Sequence, residues 1–95
     1  MKSIIQTNKN FCYICGKNSK FEPLDEHHVF SGAYRKLSEK YGLKVYLHHH
    51  ECHLNGVHKN AELNRDLKAK VQEIAMNYYD WSIEDFISIF GKNYM

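Results

Sequence analysis

All seven histidines and all three cysteines of this 95-residue chain lie between Cys12 and His58. Thiolate and imidazole are the side chains that bind zinc most tightly in proteins. A chain of this length buries a comparatively small share of its surface on folding, so a bound metal would help to stabilise it. The run therefore predicts a metal-stabilised domain, and it contains more ligands than one four-coordinate site requires.

Composition narrows the class of protein. Hydrophobic residues make up 43% and charged residues 25% of the chain, and no stretch approaches the ~20 apolar residues of a membrane span. The first ten residues lack the apolar region of a signal peptide. Because an odd cysteine count with a Cys-x2-Cys pair argues against a secreted disulfide framework, we expect a cytoplasmic protein without a membrane partner. The net charge of +2 is too small for nucleic-acid binding through charge alone, so any such contact must be local.

The chain has no internal repeat, low-complexity tract or linker, so we expect one domain over residues 1–95. Its ligand-rich part covers residues 12–60, where a short strand is predicted at 24–30, a short helix at 33–41 and a half-buried strand at 43–47. A helix at 60–79 and a second helix from a capping box at Ser82 to Gly91 would pack as a hairpin over residues 60–91. The fold class is therefore α+β. The apolar face predicted for the long helix consists of Leu63, Leu67, Val71, Ile74 and Tyr78.

Two ligand pairs of equal spacing predict a structural zinc site. Cys12 and Cys15 are separated by two residues, and so are His49 and Cys52. Such a turn points both side chains at one ion, and zinc prefers four ligands in a tetrahedron. Either histidine beside His49 could take its place. The alternative, a buried or redox-active cysteine pair, lacks the strand–helix–strand context of thioredoxin-like proteins.

Four histidines are left over by this zinc site, namely His27, His28, His53 and His58. A histidine pair on a strand, a second strand, a Cys-His step and a helix resemble, in this order, the HNH endonucleases, whose ββα-metal site is built from those pieces. The matching segments are residues 25–29 (DEHHV) and 49–53 (HHECH). The resemblance covers about residues 12–60, and residues 28–43 and 56–58 look more specifically like small phage-encoded members. Its first part is similar to the variety that carries a four-ligand zinc site.

The resemblance implies an enzyme that hydrolyses DNA phosphodiester bonds with the help of Mg²⁺ or another divalent metal. It implies that His28 is the general base that activates water, which suits a side chain with an unperturbed pKa of ~6.5. It also implies that His27 and His53 are ligands of the catalytic metal, and His58 could be the third. An all-imidazole site would hold zinc or nickel more tightly than magnesium, so the identity of this metal stays open.

One position departs from the family pattern. The middle asparagine of the family helps to orient the base and should lie eight residues before Cys52, where this chain has Lys44. The alternative is therefore a noncatalytic zinc-stabilised module that binds nucleic acid or a protein partner.

Basic residues near the second strand are candidate DNA contacts. Arg35, Lys36 and Lys40 cluster on the short predicted helix and could meet phosphates without reading the base sequence, unless they form only a solvated helix face. Lys44 could also face a phosphate. The resemblance implies DNA as the partner, and many such small proteins work as homodimers or beside larger phage DNA-processing machinery.

Overall fold

The computed structural model describes residues 1–95, and its regular elements alternate between strand and helix. In chain order they are strand β1 (Leu24–His28), a 3₁₀ turn (Gly32–Tyr34), helix α1 (Arg35–Lys40), strand β2 (Lys44–His48), a π-helical segment (His49–Val57), helix α2 (Ala61–Tyr79) and helix α3 (Ile83–Phe90). The two strands form one antiparallel sheet. The structure is thus the small α+β domain that the sequence predicts, with the two strands and the C-terminal helices in the expected order.

Local capping explains where the two C-terminal helices begin and end. The side chain of Asn60 accepts a hydrogen bond from the backbone of Leu63 at the start of α2. Ser82 and Asp85 form a reciprocal capping box at the start of α3, and Gly91 ends this helix in a left-handed conformation (φ 79°). These contacts satisfy backbone groups that a helix end leaves unpaired. No helix combines the length and the apolar character needed to cross a membrane.

The core lies between the sheet and the two C-terminal helices. Residues at or beside the strand ends contribute Val29, Phe30 and Leu43, and α3 contributes Phe86 and Phe90. The Phe30 ring packs 4.8 Å from the Phe90 ring and 5.5 Å from the Phe86 ring, measured between centroids. Because Val71 of α2 belongs to the same buried cluster, one apolar core joins the ligand-rich half to the helical half.

The burial of β2 differs from the prediction. All five residues of this strand are buried, although the alternation around Lys44 and Tyr46 predicted a half-buried strand. The N-terminal segment covers the strand: Ser3 donates a hydrogen bond to the carbonyl of Lys44, and the Gln6 side chain accepts one from the backbone of Tyr46. Polar residues on the outer face are therefore shielded by a segment that has no strand pattern of its own.

The apolar face of α2 also differs at one end. Leu67, Val71 and Ala75 are buried at four-residue intervals, whereas Tyr78 is 62% exposed. Tyr79 packs inward instead, with its ring 5.4 Å from that of Tyr41 and its hydroxyl donating to the Tyr41 carbonyl at 2.6 Å. This hydrogen bond holds Tyr79, and not Tyr78, against the core. Hydrophobic periodicity alone does not distinguish the two tyrosines.

Ser38 provides a test of how α1 is attached to the sheet. Its fully buried hydroxyl donates to the Leu43 carbonyl at 2.5 Å and accepts from the Phe30 backbone amide at 3.3 Å. We expect Ser38→Ala to lower the free energy of unfolding by about 1–3 kcal/mol, because it leaves both backbone groups without this partner. Urea denaturation would measure the change. The exposed Ser88→Ala on α3 is the control and should be nearly neutral; equal stabilities of the two variants would contradict the role of Ser38.

Candidate metal centres

The three cysteines and one histidine form the first candidate centre, here called the Cys3His cluster. Cys12 and Cys15 lie on a tight turn, His48 ends β2, and Cys52 lies in the π-helical segment. Their ligand atoms all lie within 4.8 Å of one another. The Nδ1 atom of His48 is 3.2 Å from the Cys15 sulfur and 4.0 Å from the Cys52 sulfur. Three thiols and an imidazole in this arrangement are a donor set that suits zinc.

Local hydrogen bonds hold the two sides of this cluster together. Cys12 donates its backbone amide to Lys17, and Gly16 (φ 76°) donates back to Cys12, which closes the turn. The backbone amide of Tyr13 donates to the carbonyl of Tyr46, so the turn is attached to β2. The Nε2 atom of His48 lies 2.9 Å from the backbone carbonyl of Asn18. Because that carbonyl accepts a hydrogen bond from the Nε2–H group, the lone pair of Nδ1 is directed at the sulfurs.

The fourth member of the cluster is His48 and not His49, which is a correction to the predicted ligand set. His49 turns away, and its Nδ1 atom lies 2.6 Å from Asp25 Oδ2. Equal spacing predicts His49 only if residues 49–52 form a turn like that of Cys12 and Cys15. The chain instead enters a π-helical segment at this point, whose wider turn brings residues four and five positions apart to one side.

The thiols of the Cys3His cluster differ in how easily they ionise, and a bound cation would favour the ionised form of each. Burial opposes ionisation of Cys12, but backbone hydrogen bonds from Cys15, His48 and Ile14 outweigh it and lower the pKa of this thiol to about 7. Burial, with the adjacent sulfurs of Cys12 and Cys15, raises the pKa of Cys52 to about 12. The protein thus stabilises the thiolate of Cys12 but opposes ionisation of Cys52. Since zinc binds thiolates and its charge offsets their repulsion, the residues present fit this ion.

The second candidate centre, here called the histidine triad, consists of His27, His53 and His58. The Nε2 atoms of His53 and His58 are 2.9 Å apart, and the His27 ring lies 5.0 Å and 5.7 Å from their ring centroids. His27 is buried and its Nε2 atom has no hydrogen-bond partner. Burial, followed by the charges of the surrounding histidines, lowers the pKa of His27 to about 4. A neutral imidazole with an unpartnered nitrogen is the form that binds a metal, so the triad fits a divalent ion.

Asp25 supports the histidine triad and was not singled out from the sequence as a site residue. Its Oδ2 atom lies 2.8 Å from His53 Nδ1 and 2.6 Å from His49 Nδ1. Burial opposes ionisation of Asp25, but the hydrogen bonds from the two histidines outweigh it and lower its pKa. A carboxylate that accepts a hydrogen bond from Nδ1–H keeps the proton on Nδ1. The lone pair of His53 Nε2 then faces His58, as in the carboxylate–histidine–metal arrangements of metalloproteins.

His28 lies beside the triad and contacts different partners. Its Nε2 atom is 2.9 Å from Glu39 Oε1 and 3.7 Å from Glu26 Oε1. Glu39 also accepts hydrogen bonds from Lys44 Nζ at 3.0 Å. The N-terminal ammonium, His28 and Lys44 together hold the pKa of Glu39 well below its usual range. Glu39 is therefore a charged acceptor, and no sequence pattern identified it.

The predicted DNA contacts divide into two groups. Arg35 is exposed and lines a cavity of about 220 Å³ together with His28 and the histidine triad. Lys36 lines the adjoining depression, and Lys40 is exposed but lines neither. Lys44 is a correction: its side chain is only 7% exposed and its ammonium contacts Glu39 and Glu26, so it is not free to meet a phosphate.

Comparison with protein-family models, with curated proteins and with solved structures finds no match for this chain. The HNH resemblance therefore stays a prediction.

Zinc content distinguishes His48 from His49 as the fourth ligand. We expect the wild type to retain about one zinc per chain after dialysis against a weak chelator, because four protein ligands close the site. His48→Ala should lose this ion, whereas His49→Ala should keep it. Elemental analysis of the dialysed proteins measures the difference. Retention by His48→Ala together with loss by His49→Ala would restore the ligand set predicted from the sequence.

Proposed function

We propose that this protein is a metal-dependent nuclease that hydrolyses phosphodiester bonds of DNA. The observation that carries the proposal is the unpartnered Nε2 atom of buried His27, in a group of three imidazoles that shares an open cavity with His28 and Arg35. A histidine cluster that served only the core would be expected to satisfy its buried nitrogens. The same cavity thus offers metal ligands, a candidate base and a cation for a phosphate.

In this proposal His28 is the general base. Its Nε2 atom faces Glu39, so a proton held there leaves Nδ1 with the lone pair that can accept a proton from water. Glu39 is a positioning residue, because it fixes the ring and selects this tautomer. Arg35 would pair with a nonbridging phosphate oxygen at the mouth of the cavity.

The histidine triad would hold the divalent metal, and Asp25 would keep His53 in the ligating tautomer. A divalent metal in such a site supplies charge stabilisation for the scissile phosphate and the leaving oxygen. Three neutral nitrogen ligands favour zinc or nickel over magnesium, because imidazole suits these metals and oxygen ligands suit magnesium.

A noncatalytic zinc-stabilised module that binds nucleic acid or a protein is the second candidate. The ion pair of Lys44 with Glu39 favours it, because Glu39 could then serve to neutralise a buried ammonium and not to position a catalytic base. The two candidates share the Cys3His cluster and differ only in what the histidine triad and His28 do.

A plasmid-nicking assay with added Mg²⁺, Mn²⁺, Ni²⁺ or Zn²⁺ tests the nuclease. We expect His28→Ala to lower the cleavage rate by about 10²–10⁴-fold, the usual contribution of general acid–base catalysis. The exposed His50→Ala is the matched control and should cleave like the wild type. Absence of cleavage by the wild type with every metal would leave the noncatalytic module, and full activity in His28→Ala would remove His28 as the base.

Two substitutions of Glu39 test its positioning role. Glu39→Gln keeps an oxygen that can accept a hydrogen bond from His28, whereas Glu39→Ala does not; both leave Lys44 without this carboxylate. We expect similar losses of thermal stability but a cleavage rate lower in the alanine variant by up to about 100-fold, the scale of a misplaced catalytic group. Parallel measurements of unfolding and nicking provide the comparison. Equal rates in the two variants would limit Glu39 to neutralising Lys44.

A further inference from the structure

A basic groove separate from both metal centres lies between α2 and the C-terminal segment. It has a volume of about 310 Å³ and is lined by three basic side chains, two asparagines and the hydrophobic residues Ala61, Tyr94 and Met95, with no acidic side chain among them. The residues that matter for its chemistry are Asn64, Arg65, Lys68, Lys92, Asn93 and Tyr94. We call this surface the basic groove.

Three positively charged side chains line the basic groove, and no acidic side chain in its lining offsets their charge. The ammonium groups of Lys68 and Lys92 both lie 5.4 Å from the centre of the Tyr94 ring. Neither they nor Arg65 forms an ion pair with an acidic side chain or with the terminal carboxylate. These three charges exceed the net charge of +2 for the whole chain, so the rest of the molecule is net negative. A bound anion would relieve the mutual repulsion of the three cations.

Buried contacts hold the two walls of the basic groove in place. Gln72 of α2 is fully buried; its amide donates to Asn93 Oδ1 at 2.8 Å, and its carbonyl oxygen accepts from the Tyr94 backbone at 2.7 Å. The Tyr94 ring packs 5.4 Å from the core ring of Phe30. The segment that carries Lys92 is therefore fixed against the helix that carries Lys68.

The basic groove is close to the histidine triad. Helix α2 begins at Ala61, which lines the groove and follows His58 by three residues. A linear polyanion bound at the triad therefore has a basic surface within reach on the α2 side, in addition to Arg35 on the α1 side.

We propose that the basic groove binds the sugar–phosphate backbone of DNA beside the bond that the histidine triad acts on, an assignment that rests in part on the proposed nuclease function. Two cations one helical turn apart on α2 and a third on the opposing wall suit successive phosphates better than a single compact anion. The asparagine amides can donate to phosphate oxygens, and the Tyr94 ring offers an apolar face to a sugar.

DNA binding by two triple variants of equal charge tests the proposal. The groove variant combines Arg65→Gln, Lys68→Gln and Lys92→Gln. The control variant combines Lys9→Gln, Lys20→Gln and Lys70→Gln, which are exposed and lie outside the groove. Fluorescence anisotropy with a labelled duplex, without added divalent metal and at several salt concentrations, gives the affinity and its salt dependence. Thermal unfolding of each variant confirms that it is folded.

We expect the groove variant to bind DNA at least about tenfold more weakly and to lose about two to three units of the slope of log K against log salt, close to 0.9 for each phosphate contact. The control variant should keep most of the wild-type affinity and slope. Wild-type affinity in the groove variant, or an equal loss in both variants, would overturn the proposal. So would groove-dependent binding of polyglutamate as tight as that of DNA, since the partner would then be an acidic protein.

The failure of this inference and the failure of the nuclease are distinguishable. Groove-dependent DNA binding by a wild type that nicks no plasmid supports the groove and removes the nuclease. Nicking by the groove variant with an unchanged KM supports the nuclease and overturns the groove.

Discussion

The junction between β2 and the π-helical segment is the constraint on which both candidate centres depend. His48 and Cys52 face the cysteine turn, whereas His53 and His58, five positions apart, face His27. The backbone amide of His58 donates to the carbonyl of His53, which is the five-residue spacing of a π turn. Slipping this segment by one residue would remove ligands from both centres. Structural zinc sites in zinc-finger peptides contribute ~10–16 kcal/mol, as much as the whole net stability of a typical domain. Zinc in the Cys3His cluster would therefore also determine the position of the histidine triad.

The side chains of strand β1 alternate between two faces, and this divides the metal ligands of the second centre from the candidate base. Successive side chains of a strand point to opposite faces, so Asp25 and His27 share one face while Glu26 and His28 share the other. The first pair contacts the histidines of the π-helical segment. The second pair contacts Lys44 and Glu39. One short strand thus presents ligands and their supporting carboxylate to one side and the candidate base with its acceptor to the other, and both reach the cavity at the strand edge.

The parts of the fold that depend on local interactions were predicted from the sequence. The capping box at Ser82 and the stop at Gly91 were predicted and bound α3, and the helix predicted at 60–79 from hydrophobic periodicity is observed as α2 at Ala61–Tyr79. Ligand types and their clustering likewise indicated two centres before any geometry. What the sequence did not reveal depends on contacts between distant segments: the choice of His48 over His49 follows from a π-helical turn that has no spacing signal. The shielding of Lys44 and Tyr46 follows from contacts with an N-terminal segment about 40 residues away.

Lys44 replaces the asparagine of the HNH motif, and its contacts show how another residue provides the acceptor that an asparagine would offer. Lys44 lies directly opposite His28 in the sheet, so the register alone brings it near that side chain. An asparagine there would offer a neutral acceptor, but a lysine can only donate. In this structure the acceptor for His28 comes from Glu39 of α1 instead, and Lys44 donates to that carboxylate. Burial alone would lower the pKa of Lys44, but the Glu39 and Glu26 carboxylates outweigh burial and raise it. The lysine therefore stays charged and contacts Glu39, so this position is linked to His28 through a second residue.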